Sequence, residues 1–97
     1  MDLENEFHHA MVGVADFANA HGFGTRFRQM LGEFGGVGTA KRLLSKGDIQ
    51  AGLFELSQLN RLDMSMEAHV IQDRFQILFT PEEISEARRR LDELGSY

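Results

Sequence analysis

The spacing of apolar side chains in residues 3–20 is that of an amphipathic helix. The apolar positions follow one another at intervals of four and three residues, which places them on one face of a helix. They are Leu3, Phe7, Ala10, Val14 and Phe17. Gly22 and Gly24 follow this pattern and predict the end of the helix.

Three shorter helices are predicted between residues 25 and 59. The second helix begins at a cap on Thr25 and ends at Gly35, and the third runs from about residue 37 to its stop at Gly47. The fourth helix follows Asp48 as its cap. The apolar stripes that these helices present to the core are Phe27, Met30, Leu31 and Phe34; Val37, Ala40, Leu43 and Leu44; and Ile49, Leu53, Leu56 and Leu59.

The next segment of the chain predicts a short helix and one ambiguous stretch. Ser65 is the predicted cap of the fifth helix. Residues 74–79 alternate as in a strand and also fit a turn of helix. Because the sequence offers no second strand to pair with them, we predict a helical turn. The apolar residues of the fifth helix are Met66, Val70 and Ile71.

The final helix has the strongest start signal in the chain. Residues 80–83, Thr-Pro-Glu-Glu, form a capping box with proline at the first helical position. Its apolar stripe is Ile84, Ala87, Leu91 and Leu94, and Gly95 follows. The pattern as a whole predicts an all-α fold, a compact bundle of about six short helices in one domain that spans residues 1–97.

The composition is that of a folded protein without cysteine chemistry. Of its residues 42% are hydrophobic and 26% are charged, which is typical of globular domains. The chain has no cysteine, which excludes disulfides and thiolate metal sites. Its first residues are acidic and are not followed by a long apolar run, so we expect neither an export signal nor a membrane segment. These features predict a cytoplasmic protein.

Residues 25–47 concentrate the positive charge of an acidic protein. The net charge of the chain is −5, whereas this segment carries five basic residues and one acid. We predict that the five basic residues bind a partner or an anion. The protein's own acidic first helix is an alternative target for the same charges. The five residues are Arg26, Arg28, Lys41, Arg42 and Lys46.

The glycine-rich stretch 35–41, Gly-Gly-Val-Gly-Thr-Ala-Lys, resembles a phosphate loop only in composition. A P-loop needs four residues between its first glycine and a Gly-Lys-Ser/Thr ending, and a dinucleotide loop needs a preceding strand. Neither condition is met. We interpret these glycines as helix ends, with a loose anion site at a helix N-terminus as the alternative.

No set of residues has the pattern of a catalytic or metal site. Glu4 and His8 lie four residues apart on one helical face, but no third ligand joins them. The hydroxyls of Thr25, Ser65 and Thr80 are explained as helix caps. We therefore expect no metal, no cofactor and no enzymatic activity.

The arginine run Arg88, Arg89 and Arg90 is spread around the final helix. Each arginine has an acid four residues away, in the pairs Glu86 with Arg90, Arg88 with Asp92, and Arg89 with Glu93. We interpret the run as a solvated face of mutually paired charges and assign it no function.

Five segments resemble a family of small bacterial all-helical proteins whose function is uncharacterised. With x for any residue, that family shows the patterns EFHxAM, TRFLQM, GGxxxAKRLL, GRLDLTVEALVL and LFTEEELxxARxRL in this order. The resemblance implies a helical fold and a bacterial or mobile-element origin, and it implies no activity. This sequence departs from the family at Arg28, Asn60, the pair Ser65 and Met66, and His69, which replaces a leucine. The segments are residues 6–11 (EFHHAM), 25–30 (TRFRQM), 35–44, 60–71 (NRLDMSMEAHVI) and 78–91.

Together these features predict a small non-catalytic module that binds another protein or regulates it, with self-association into a homodimer as one form of that binding. The alternative is a nucleic-acid-binding protein that uses residues 25–47. The acidic total charge argues against the alternative, because nucleic-acid binders are usually basic.

Overall fold

A computed structural model of the chain describes residues 2–95, and this range contains helices and no strand. The predicted all-α class is confirmed. The Cα radius of gyration is 12.1 Å, close to the value of about 13 Å expected for one compact domain of about 100 residues. The α-helices are α1 (Leu3–Ala20), α2 (Thr25–Leu44), α3 (Ala51–Gln58), α4 (Met66–Val70) and α5 (Pro81–Glu93), and 3-10 helices occur at Leu62–Met64 and Asp73–Leu78.

Helix α1 has the predicted bounds. Its N-terminal cap is Asp2, whose Oδ1 accepts a hydrogen bond from the backbone N–H of Asn5 at 2.8 Å. After its last residue the backbone turns through Gly22 and Gly24, both with positive φ, a conformation that glycine adopts without steric cost. The buried side of α1 consists of Phe7, Met11, Val14, Ala15 and Ala18.

Helix α2 contains the second and third predicted helices as two halves joined at Gly35. Gly35 has φ 74° and ψ 176°, so the helical path breaks where the sequence predicts a helix end. The N-cap of α2 is Gly24, and Thr25 is the first residue of the helix. The prediction that Thr25 is the cap is therefore wrong by one residue. Phe34 is 39% exposed, which corrects its predicted place in the core.

The backbones of α1 and α2 come close together at Gly36. The backbone N–H of Gly36 donates to Nδ1 of His8 at 2.9 Å. A Cβ atom on Gly36 would lie 2.6 Å from the Cα of His8. Only glycine allows this contact between the two helices, which explains why a second glycine follows Gly35.

Helix α3 begins later than predicted. It starts at Ala51, with Gln50 in the capping position, so the predicted cap at Asp48 is wrong. The N–H of Leu53 donates to the carbonyl of Gln50 at 3.0 Å. Leu53 and Leu56 are buried as predicted, whereas Leu59 is exposed.

Three predictions for helix caps and helical turns in the last third of the chain are confirmed. Ser65 caps α4, because its Oγ accepts from the N–H of Ala68 at 3.0 Å. Residues 73–78 form a 3-10 helix, so the ambiguous stretch is helical as far as Leu78, and Phe79 follows in an extended conformation. The capping box at Thr80 is complete, since Glu83 N–H donates to Thr80 Oγ1 and Thr80 N–H donates to Glu83 Oε1.

Two groups of buried side chains fill the interior. The larger one joins α1, α2, α4 and α5 around Phe7, whose ring lies 5.1 Å from the rings of both Phe75 and Phe79 in edge-to-face contact. The smaller one consists of Leu53, Leu56, Leu62, Ala68 and Leu91. Helix α3 reaches the rest of the fold through this second group. No helix within residues 2–95 is both long and apolar enough to cross a membrane.

Candidate functional site

A cleft of about 410 Å³ lies between α3 and the body formed by α1, α2 and α4. Its volume is in the range of small-ligand and side-chain binding sites, roughly 300–1,000 Å³. The lining is mainly apolar. Its apolar side chains are Val14 and Ala18 from α1, Phe27, Met30 and Leu43 from α2, Leu53 and Leu56 from α3, and Met66 from α4, together with Phe23.

The first two residues of α3 are small. Ala51 and Gly52 both line the cleft, and a Cβ added to Gly52 would meet no atom within 4 Å. The two ends of α2 face this same space, as Gly24 and Phe27 line it from one end and Leu43 from the other. The break at Gly35 is what lets both ends of one helix reach one cleft.

Two of the five predicted binding residues, Arg26 and Lys46, line this cleft. Arg26 lies in the first turn of α2, and Lys46 follows its last turn. Neither side chain forms an ion pair with a residue in the range 2–95. Their charges are therefore available to a molecule that enters the cleft.

Arg28 is committed to the first helix. Its guanidinium forms an ion pair with Asp16 and donates a second hydrogen bond to the side-chain oxygen of Asn19, both on α1. This contact is the alternative that the charge pattern left open, in which the basic segment meets the protein's own acidic helix.

Lys41 and Arg42 also bind within the protein. Lys41 Nζ lies 2.8 Å from Oε1 of Glu83 and 5.4 Å from the ring centre of Phe79. Although burial opposes it, the hydrogen bond from Lys41 lowers the pKa of Glu83 below its ordinary value. The guanidinium of Arg42 stacks 3.8 Å from the ring centre of Phe34. The structure thus brings only Arg26 and Lys46 together at the cleft.

Arg90 is a buried cation, which corrects the interpretation of the arginine run as a solvated face. Arg88 and Arg89 are exposed, and Arg89 pairs with Glu86 and Glu93 as residues of a surface helix do. The side chain of Arg90 is 0% exposed. Its predicted bond to Glu86 is present at 2.7 Å, but it is one contact of a larger network.

The guanidinium of Arg90 joins three elements of the fold. It donates to Glu67 Oε2 at 3.1 Å, to the carbonyl of Leu43 at 2.9 Å and to the carbonyl of Lys46 at 2.6 Å. The last two acceptors lie at the C-terminal end of α2, where carbonyls lack helical partners and a cation is favourable. Leu43, Lys46 and Glu67 all line the cleft. Arg90 therefore holds three lining residues of the cleft in position through hydrogen bonds to their side chain or carbonyl groups.

The two carboxylates on Arg90 differ in their affinity for protons. Hydrogen bonds from Arg89 and then from Arg90 lower the pKa of Glu86 to about 2. Burial raises the pKa of Glu67 above its ordinary value, and the contact with Arg90 opposes this rise. The negative charge of Glu86 adds a smaller contribution to the rise in the pKa of Glu67, because like charges oppose ionisation.

The other sequence candidates do not form a site. The N–H of Gly36, at the start of the second half of α2, is bound to His8 and is not free for the predicted loose anion site. Nδ1 of His69, which is half-buried, donates to the carbonyl of Ser65 at 2.7 Å. Within residues 2–95 there is no group of three or more His, Cys, Asp or Glu side chains that could hold a metal ion.

Sequence reasoning missed Arg90 and Glu67 as builders of the cleft. One signal for Glu67 is present in the sequence, because it is a lone acid in the mostly apolar stretch 66–71, Met-Glu-Ala-His-Val-Ile. Apolar residues on both sides are typical of a buried segment, where a charged side chain needs a partner. Arg90 gives no comparable signal, since its spacing from Glu86 is that of an ordinary surface pair.

Comparisons with protein-family models, curated proteins and solved structures gave no match. The resemblance to a family of small bacterial helical proteins therefore stays a prediction.

Proposed function

We propose that this protein is a non-catalytic binding module and that the cleft receives apolar side chains of a partner protein. As the sequence predicts, the module would work in the cytoplasm of a bacterium or in the context of a phage or other mobile element. One observation carries the proposal. The cleft is apolar, it is not filled by the protein's own side chains, and two cations without ion pairs in the range 2–95 lie on its lining.

The energetics favour occupation of such a cleft. A partner side chain of the size of leucine that becomes fully buried contributes about 1.5–3 kcal/mol from the hydrophobic effect. The buried network of Arg90 holds Leu43, Lys46 and Glu67 in place, so this part of the lining needs little ordering when a partner binds. Preorganisation of this kind lowers the free-energy cost of association.

The polar groups of the cleft support binding without catalysis. The Oγ of Ser65 donates to the carbonyl of Leu62 at 2.7 Å and accepts from Ala68 N–H, so it is occupied as a helix cap. Glu67 is bound to Arg90. Neither has the arrangement of a nucleophile beside a general base that covalent catalysis requires.

Self-association belongs to the same proposal, because a second copy is also a protein partner. Helix α3 and the residue after it carry two exposed apolar side chains, Phe54 and Leu59, and Ile77 is 84% exposed elsewhere. Analytical ultracentrifugation of the wild type and of Phe54→Ser tests this form. A dimer that dissociates in the variant supports it, and a monomer at all concentrations rejects it.

Nucleic-acid binding has less support than protein binding. Of the five cations on which it depends, Arg28, Lys41 and Arg42 contact side chains of the protein itself. A gel-shift titration at low salt decides this alternative, since salt weakens phosphate contacts strongly. Retardation that is lost when Arg26 and Lys46 are neutralised would favour it over protein binding.

The proposal is tested by filling the cleft. Gly52→Phe adds a ring at a residue that lines the cleft, and because an added Cβ there would meet no atom within 4 Å, the fold should be kept. Gly32→Phe is the matched control, because Gly32 is also open and exposed but does not line the cleft. Affinity capture from the native cells should recover a protein with the wild type and with Gly32→Phe, and should lose it with Gly52→Phe. Capture that is absent, or unaffected by Gly52→Phe, would reject the proposal.

A further inference from the structure

We infer that the segment received by the cleft is an acidic amphipathic helix of another protein. This inference rests on the proposed function and adds the chemistry of the partner. Aliphatic side chains of that helix occupy the apolar lining, and its carboxylates lie near Arg26 and Lys46.

The charge of the cleft selects an acidic partner. Four charged side chains line it, namely Arg26, Lys46, Glu55 and Glu67. Glu67 is bound to the buried Arg90 and does not act as a free anion. The two cations therefore outnumber Glu55, the remaining acid. A partner that is acidic at the rim of its apolar face gains attraction where a basic one is repelled.

The start of α2 adds to this positive potential. Helix α2 has no acid in its first turn and no side chain that caps it, and Arg26 stands in that turn. A helix N-terminus carries a partial positive charge, which acids usually balance. Here a cation takes their place at the edge of the cleft. A carboxylate on a bound partner is therefore favourable at this end of the cleft.

The surroundings of the cleft favour a helical partner over an extended one. Pairing with the edge of a sheet is one way in which an extended peptide binds, and residues 2–95 contain no strand. In an apolar cleft its backbone N–H and C=O groups would lose water without gaining partners. A helix satisfies its own backbone hydrogen bonds and presents only side chains. The lining comes from helices on every side, which suits packing against one more helix.

A pair of designed peptides tests the inference. Both are about 15 residues long, the length at which isolated helices become stable, and both have leucine at positions i, i+3, i+4 and i+7. One carries glutamate on the flanks of the leucine stripe, and the other carries lysine at the same positions. Fluorescence anisotropy should show that the purified full chain binds the glutamate peptide about tenfold more tightly at low salt. The preference should shrink at high salt, where charges are screened over about 3 Å.

Charge reversal on the protein locates the effect. Arg26→Glu and Lys46→Glu should each weaken binding of the glutamate peptide roughly two- to fivefold or more, the range for loss of an exposed ion pair. Arg88→Glu is the matched control, because it changes the net charge equally on an exposed face away from the cleft. It should leave the affinity unchanged.

The outcomes separate this inference from the function on which it rests. Equal binding of both peptides, blocked by Gly52→Phe, would overturn the acidic partner and leave the protein-binding cleft standing. Binding of decanoate with no binding of either peptide would make the cleft a site for small carboxylates and overturn the inference. If Gly52→Phe still captures the same protein from the native cells as the wild type does, the proposed function itself is rejected.

Discussion

The guanidinium of Arg90 lies 3.1 Å from the carboxylate of Glu67 in a part of the fold that is closed to solvent, with the two side chains 0% and 5% exposed. This pair connects α5 to α4, and the same guanidinium reaches the end of α2. A buried ion pair rarely adds net stability compared with apolar side chains, because both charges lose their hydration. Here it fixes the position of residues that line the cleft.

Replacement of Arg90 by methionine should destabilise the protein by about 3–5 kcal/mol, because Glu67 and two carbonyls at the end of α2 lose their common partner. Urea denaturation followed by circular dichroism measures the change. Arg88→Met is the control and should stay within about 0.5 kcal/mol of the wild type, since Arg88 is exposed. An equal effect of the two substitutions would contradict the role assigned to Arg90.

The stability contributed by Glu67 should fall as the pH rises. Burial raises the pKa of Glu67 above its ordinary value of 4.5, so the folded state holds this proton more tightly than the unfolded chain does. The resulting stability is fully present below pH 4.5 and is lost as the pH rises through the folded pKa. Glu67→Gln stays neutral at every pH. Its free energy of unfolding should therefore increase relative to the wild type between pH 4.5 and the folded pKa.

Glu86→Gln provides the control of opposite sign. The pKa of Glu86 is lowered from 4.5 to about 2, so its contribution is present above pH 4.5 and is lost as the pH falls toward 2. The free energy of unfolding of Glu86→Gln should therefore lie below that of the wild type at neutral pH, and this difference should shrink as the pH falls. If the two variants follow the same pH profile, the proposed sharing of charge around Arg90 is wrong.

The parts of the fold that depend on neighbours in sequence are predictable, as the capping box at Thr80 and the break at Gly35 show. Residues within one turn decide these features. The sequence misplaces the start of α3 because Asp48 has the chemistry of a cap, while the bend before Gln50 depends on surrounding structure. The burial of Arg90 is not predictable, since three of its four acceptors lie 23, 44 and 47 residues away in the chain. The cleft is not predictable for the same reason, because its lining comes from four helices that lie in different parts of the chain.

Because α1 and α2 come close together at Gly36, we expect alanine substitutions at two glycines of α2 to change the stability of the protein very differently. Gly36→Ala should cost about 1–3 kcal/mol, because the new Cβ would lie 2.6 Å from His8 Cα and the helices must separate. Gly32→Ala should stabilise the protein by about 0.5–1 kcal/mol, since its Cβ meets no atom within 4 Å and alanine favours the helix. Thermal unfolding of both variants measures the difference. A stabilised Gly36→Ala would show that the helices do not meet there.

Thr39 should tolerate loss of its hydroxyl. Its Oγ1 is buried and has no hydrogen-bond partner within residues 2–95, and an unsatisfied buried group of this kind costs about 1–3 kcal/mol. Thr39→Val, which keeps the shape, should therefore raise the free energy of unfolding by about 1 kcal/mol. Thr80→Val is the contrasting variant. It removes the cap of α5 and should lower the free energy of unfolding by about 1 kcal/mol. Chemical denaturation of the two variants should give opposite signs, and a clear loss in Thr39→Val would reveal a partner for the hydroxyl.

The most direct measurement of the central claim is an NMR titration of the isotope-labelled protein with the glutamate peptide. If the cleft binds a partner helix, the amide signals that move will be those of its lining, with Gly24, Phe27, Gly52 and Leu53 among the largest changes. Signals of residues 73–78, which do not line the cleft, should stay in place. Changes centred on residues 73–78 or on the exposed face of α5, with the cleft signals unmoved, would contradict the account.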